Sequence, residues 1–176
     1  MNLLRGTLCG VVVCVVGLWG GACSSDPREG YSFSSTFRSD VKTVAVPVWQ
    51  NNTFYHGLES KLAQALVTEI TKTTPYRVTS SEGAGTVLEG TITSVDMRKL
   101  STAQDTGLVQ ELSLEVVCDF AWKNNRTGKV LTAKKNFSAA RSFAPAHGVG
   151  ERIEVGEDAA VQQLAKDIVD QMRNGW

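Results

Sequence analysis

The chain has 176 residues, with 18 Lys or Arg balanced by 18 Asp or Glu and 42% hydrophobic residues. That balance argues against a general nucleic-acid binder, which concentrates cationic charge. The length suits one ordinary domain with room for a real core, and no internal repeat or low-complexity tract divides it.

In chain order, the first feature is Arg5, then an apolar run from Leu8 to Trp19, then Gly20-Gly21-Ala22 and Cys23. A basic start, a short apolar segment and a small-residue cleavage site make an export signal. The run falls short of the roughly 20 residues a permanent membrane helix needs. A Cys directly after the cleavage point resembles a bacterial lipoprotein signal. That resemblance implies that Cys23 carries palmitate-type acyl chains and that everything beyond it lies outside the cytoplasm; two or more chains anchor stably where one is marginal. Gly20 and Ala22 equally fit ordinary signal-peptidase cleavage, which would leave a soluble protein with a free N-terminal thiol. An exposed unpaired thiol is a liability in an oxidising compartment, which favours lipidation. The expected organisation is a signal peptide over 1–22, a lipidated Cys23 with its tether over 23–30, and one domain over 31–176. Cys9 and Cys14 leave with the signal and Cys118 sits in an apolar strand pattern. No intramolecular disulfide is then available, and without a CxxC or a Cys/His cluster a structural zinc site is not expected.

Within the domain, Thr43 to Trp49 places Val44, Val46 and Val48 on one face of a half-buried strand. Gln50-Asn51-Asn52-Thr53 breaks it. Leu58, Leu62, Leu66 and Ile70, joined by Ala65, form the apolar stripe of a helix, which Pro75 stops. Tyr76 to Thr79 predicts a short strand, Ser80 to Gly85 a loop, and Thr86 to Met97 a β-rich segment interrupted at Gly90. Leu108 to Trp122 is the strongest strand. Leu108, Leu112, Leu114, Val116, Cys118, Phe120 and Trp122 share one parity, with Glu111, Ser113, Glu115 and Asp119 on the other, the pattern of an antiparallel strand with one face covered. Asn124 to Gly128 turns the chain and Val130 to Phe143 returns as the hairpin partner. A loop from Ala144 to Gly156 precedes a second helix striped by Val161, Leu164, Ala165, Ile168 and Met172. The expected fold is α+β: a two-layer sandwich of a mixed, mostly antiparallel four-stranded sheet against two helices.

Residues that carry chemistry are sparse. His56 and His147 have no nucleophile or carboxylate at a recognisable spacing and read as exposed loop residues. Gly83-Ala84-Gly85 is followed by a strand, so it is no phosphate loop. Glu111, Glu115 and Asp119 could be paired acids, but a charged solvent face explains them as well. No catalytic, metal-binding or cofactor-binding set is expected. Arg98 and Lys99 fall at the mouth of a polar loop, Leu100 to Gly107. Lys123, Arg126 and Lys129 bracket the hairpin turn, and Lys134 and Lys135 lie in the returning strand. Solubility accounts for such residues, or they form an anion site. Lys135 shares the parity of Leu131 and Phe137 and would point into the core, which requires a bulge, a sheet edge or an anionic partner.

The run from Val44 to Glu59, V-A-V-P-V-W-Q-N-N-T-F-Y-H-G-L-E, resembles the opening of the LptE/RlpB lipopolysaccharide-assembly lipoproteins. So do a Cys followed by Gly30-Tyr31-Ser32-Phe33, the strand Val87 to Ile92, the hairpin Thr127 to Leu131 and the helix Leu164 to Val169, in family order along nearly the whole domain. The chain departs from the family at Gly20 and in the tether between Cys23 and Gly30. The resemblance implies a non-catalytic outer-membrane protein, anchored through Cys23 on the periplasmic side. Its partners would be an LptD-type β-barrel, which it plugs and helps assemble, and lipopolysaccharide. Arg98, Lys99, Arg126, Lys129 and Lys134 would then meet lipid A phosphates or the barrel lumen. Ser24, where Asp would often signal inner-membrane retention, favours the outer membrane. The same strand–turn–helix opening is also similar to TolB-like and CsgG-like envelope proteins and to lipoprotein activators of cell-wall synthases, which bind periplasmic protein partners instead.

Overall fold

The computed structural model describes residues 36–105, 107–144 and 153–173. The signal, the tether, the Gly30–Phe33 element and His147 lie outside the described residues. The elements are β1 (Thr43–Ala45), β2 (Gln50–Asn51), α1 (Leu58–Thr73), β3 (Arg77–Val78), β4 (Thr86–Thr102), β5 (Val109–Asn124), β6 (Val130–Phe143) and α2 (Ile153–Asp170).

The apolar stripe of α1 is buried at Leu58, Leu62, Leu66 and Ile70, and that of α2 at Val161, Leu164, Ala165 and Ile168. Burying such a stripe, more than intrinsic propensity, is what makes a helix of this length stable. Helix α1 ends where the Thr74 N–H and hydroxyl both donate to the Ile70 carbonyl, one residue before Pro75. Against the helices stands the predicted parity of β5, with Leu114, Val116, Cys118, Phe120 and Trp122 all buried in one core with both helices.

The sheet is mixed, with strand order β3-β1-β4-β5-β6 and β2 added to β4. β4, β5 and β6 form an antiparallel meander, while β1–β3, β1–β4 and β2–β4 pair in parallel. Six strands replace the expected four: β3 lies within the predicted Tyr76 to Thr79 strand, while β2, at two residues, is too short for any alternation to show.

Three differences from the sequence expectation have identifiable causes. The first strand stops at Ala45: Pro47 has no N–H to give, and the chain advances from Ala45 to Gln50 while β4 advances only from Val87 to Thr91. The extra residue swings the pattern over, so Val48 is 64% exposed and Trp49, on the expected polar parity, is 3% exposed. Gly90 does not interrupt β4; a Cβ there would lie 2.6 Å from the Trp49 ring and from the Asp119 carbonyl oxygen. Helix α2 begins at Ile153, inside the expected loop, and Gly156 is buried in it beneath the Phe143 ring.

Of the three alternatives for Lys135, the bulge is present. Cys118 pairs with Phe137 and Phe120 with Lys134, so two residues of β6 oppose Asp119 alone. Asn136 takes the left-handed conformation at φ 50° and its N–H donates to the Asp119 carboxylate at 2.8 Å. The shift turns Lys135 out to solvent.

Candidate functional site

Arg98 and Lys99 sit within β4, which runs on to Thr102, so they are strand residues and not the loop mouth expected. Arg98 pairs with Ser113 in register and Lys99 with Leu112. The Arg98 guanidinium donates to Glu115 at 3.0 Å, while its side chain stays 70% exposed. This explains Glu115 as a charge partner, and Asp119 is occupied by the bulge. Lys99 is exposed and makes no ion pair among the described residues.

Arg126 and Lys129 occupy the β5–β6 turn at the other end of the meander. The Asn124 side-chain oxygen accepts from the N–H groups of Arg126 and Thr127, each at 3.0 Å, and Gly128 supplies φ 69°. From Ser113 to Asn124, β5 advances 11 residues, which at about 3.3 Å per residue separates the two basic pairs by roughly 35 Å. Lys134 lies between them, beside a depression of about 550 Å³ that also takes in Pro47, Val48 and Lys135. The five predicted residues therefore do not form one surface. They divide into a far end (Arg98, Lys99), a near end (Arg126, Lys129) and a midpoint (Lys134).

The near end gathers further cations that sequence spacing did not reveal. Thr43 pairs with Arg77 and the Arg77 N–H donates to the Lys42 carbonyl at 3.0 Å, which brings Lys42 and Arg77 side by side. Arg38 forms a two-pronged ion pair with Asp40, both contacts at 3.2 Å. That guanidinium, helped by Lys129, holds the Asp40 carboxyl below its ordinary value. Only the parallel β1–β3 pairing joins Lys42 to Arg77, and no sequence pattern fixes that register.

The segment between β2 and α1 is built as a hydrogen-bonded unit. The Asn51 amide donates to the Tyr55 carbonyl at 2.7 Å and to Glu59 at 2.8 Å; its oxygen accepts from the N–H and hydroxyl of Thr53 at 2.9 and 2.7 Å. Glu59 also accepts from the Gly57 N–H. The Glu59 backbone N–H and then the Asn51 amide hold this carboxyl below the usual range. Gly57, at φ 91°, lets the chain turn into α1. The unit leaves Phe54 96% exposed, a position that periodicity could not assign because the loop has none.

A family model described as lipopolysaccharide-assembly, LptE, matches residues 41–174. No curated protein sequence matches the chain. Among solved structures, the chain is similar to a single-substitution variant of the PelC dodecamer of Paraburkholderia phytofirmans at 14% identity and TM-score 0.51, covering 80% of this chain and 95% of that one. A Xanthomonas campestris protein gives 10% identity and TM-score 0.51, with 73% and 81% covered. The rare lipoprotein B of Shewanella oneidensis gives 20% identity and TM-score 0.47, with 74% and 93% covered. At these identities the first two likenesses speak for the fold alone, and the third, with a TM-score below 0.5, carries no argument. The family match spans the domain and does not favour the TolB-like and CsgG-like alternative.

Proposed function

We propose that this chain, which belongs to the LptE family of lipopolysaccharide-assembly proteins, plugs and helps assemble an LptD-type outer-membrane barrel and helps deliver lipopolysaccharide to the outer leaflet. The carrying observation is the family match over residues 41–174, essentially the whole described domain. The family acts in assembly, not in catalysis, and its members are outer-membrane lipoproteins.

The geometry supports a division of labour. The far end, with Arg98 and Lys99 on a β4–β5 hairpin, is the contact to lipid A phosphates or to the barrel lumen, where charge-assisted hydrogen bonds are about twice as strong as neutral ones. Lys134 extends that contact along the sheet. The anchor is Cys23, on the periplasmic side of the outer membrane.

The test is co-purification from detergent-solubilised membranes with intact-mass analysis. The expected result is a stoichiometric complex with a large β-barrel and an acylated Cys23, and release of Cys23→Ser into the soluble envelope fraction. Arg98→Ala with Lys99→Ala should weaken lipopolysaccharide binding, most at low salt, with an unaltered circular dichroism spectrum. A chain that purifies without a barrel and binds lipopolysaccharide no better than unrelated proteins overturns the assignment.

A further inference from the structure

We propose that the near end of the sandwich is a membrane-facing surface that takes the phosphate head groups of anionic phospholipid. It deepens the anchoring reading above and rests on it in one respect, the side of the membrane on which the domain is held.

The first described residues are tied to this end. Phe37 forms an antiparallel bridge with Arg173, whose guanidinium lies 5.4 Å from the centre of the Phe37 ring. The Arg38 N–H donates to the Tyr76 phenol at 2.9 Å. Fourteen residues lead from Cys23 to Phe37, a span of at most about 50 Å. An acylated Cys23 therefore keeps this end of the domain within that distance of a bilayer.

What that end carries is an excess of positive charge. A depression of about 590 Å³ is lined by Arg38, Lys42 and Arg77, with Phe37, Val41 and Pro75 as its apolar wall. A second, of about 630 Å³, shares Lys42 and adds Arg126. Lys129 stands close enough to act on the Asp40 carboxyl, and Arg173 closes the set. Against these cations, among the described residues, stand the carboxylates of Asp40, Glu82 and Asp170. Asp40 is taken by Arg38 and Asp170 by Arg173, at 3.2 and 3.1 Å. Lys42, Arg77, Arg126 and Lys129 form no ion pair among the described residues and remain available.

Both helices also end here, and their C-termini carry partial negative charge. Lys72 in the last turn of α1 and Arg173 just beyond α2 sit where they offset it. Surface cations near an anionic leaflet each add measurably to partition within a Debye length. The short covalent tether raises the effective concentration further. These unpaired cations beside an apolar-walled recess fit phosphate head groups above an acyl layer.

The test uses the chain from residue 23 onward carrying Cys23→Ser, so that neither acylation nor the apolar Leu8 to Trp19 run plays a part. Its partition onto vesicles of phosphatidylethanolamine with phosphatidylglycerol is compared with partition onto phosphatidylcholine vesicles, in low and high salt. Binding to the anionic vesicles only, weakened by salt, is expected. Lys42→Ser with Arg77→Ser should lower partition about 25-fold, and Arg126→Ser with Lys129→Ser by a similar factor, at about fivefold per side chain. Lys166→Ser, on the exposed face of α2, should leave it unchanged. Equal binding to neutral vesicles, no binding to anionic ones, or partition unmoved by both pairs overturns the proposal. An unmodified Cys23 in the intact mass would defeat the anchor reading instead, without touching this result.

Discussion

Replacing Gly90 by alanine tests the contact that makes room for Trp49 against β4. The added methyl would lie 2.6 Å from two atoms of the Trp49 ring and 2.6 Å from the Asp119 carbonyl oxygen. Ordinary contact between carbon atoms is about 3.5–4.0 Å, so something must retreat by roughly 1 Å. The ring is wedged, 3% exposed and stacked on Phe120 at 6.4 Å. The carbonyl belongs to β5 beside the bulge and cannot move without disturbing the ladder. Overpacking of this kind costs about 1–3 kcal/mol, and with both neighbours held we expect the upper end, about 3 kcal/mol. In urea, with m of about 2 kcal/mol/M, the midpoint should fall by about 1.5 M at unchanged m. The thermal midpoint should fall by about 10 °C. Gly83→Ala is the control, since its methyl would meet only the Thr79 hydroxyl at 3.7 Å; it should stay within about 0.5 kcal/mol. In a Trp49→Leu background Gly90→Ala should cost less, because only the carbonyl contact remains. A loss below about 0.5 kcal/mol in the parent chain, or an equal loss in both backgrounds, would refute this account of Gly90.

The remaining predictions concern the sheet register, the loop unit and the buried thiol. Leu114 is fully buried, so Leu114→Asp should unfold the domain at a cost above about 4 kcal/mol. Glu115→Lys exchanges a surface pair with Arg98 for an exposed like-charge contact and should cost about 1 kcal/mol; equal effects on the thermal midpoint would mean that the strand faces are misassigned. Asn51→Ala removes four hydrogen bonds around the start of α1 and should destabilise by about 2 kcal/mol, read as a shift in denaturation midpoint; a neutral result would show that the loop does not depend on Asn51. Burial, and next the Asp119 charge, pushes the Cys118 thiol from 9.0 up to about 12. Because the folded value is raised, its contribution to stability is complete below about pH 9 and is lost as pH climbs from there toward about 12. The stability gap between the parent and Cys118→Ala should therefore narrow between about pH 9 and 11, and iodoacetamide should label Cys118 only after unfolding; rapid labelling of the folded chain would contradict its burial.

The elements that announced themselves in the sequence are those whose burial repeats with a regular period. The stripes of α1 and α2 and the even parity of β5 each span enough residues for the period to emerge, and the structure places them in or against the core, except Leu108, which precedes β5 and stays 50% exposed. The β5–β6 turn was legible for another local reason, an Asn-rich stretch closed by a glycine at positive φ. Parity also marked Lys135 as needing a bulge, a sheet edge or an anionic partner, and the structure supplies the bulge. The family resemblance was carried by a series of such local signatures, opening with the Val44–Glu59 run, in which the Asn51–Glu59 residues satisfy one another within a single loop.

What the tertiary structure decided is whatever depends on two distant segments meeting. Val48 and Trp49 exchanged faces because one side of the β1–β4 ladder holds an extra residue, and only the pairing with β4 reveals it. Gly90 read as a break, although it is the space a tryptophan from another strand requires. The basic residues looked like one group because they recur at turns and strand ends. Two long antiparallel strands then set Arg98 and Lys99 roughly 35 Å from Arg126 and Lys129. The parallel pairing of β1 with β3 assembled a different group, placing Lys42 beside Arg77. Periodicity records which face of an element is buried. Which charges share a surface is set by strand register and order, and those are fixed only by the packing of the whole sheet.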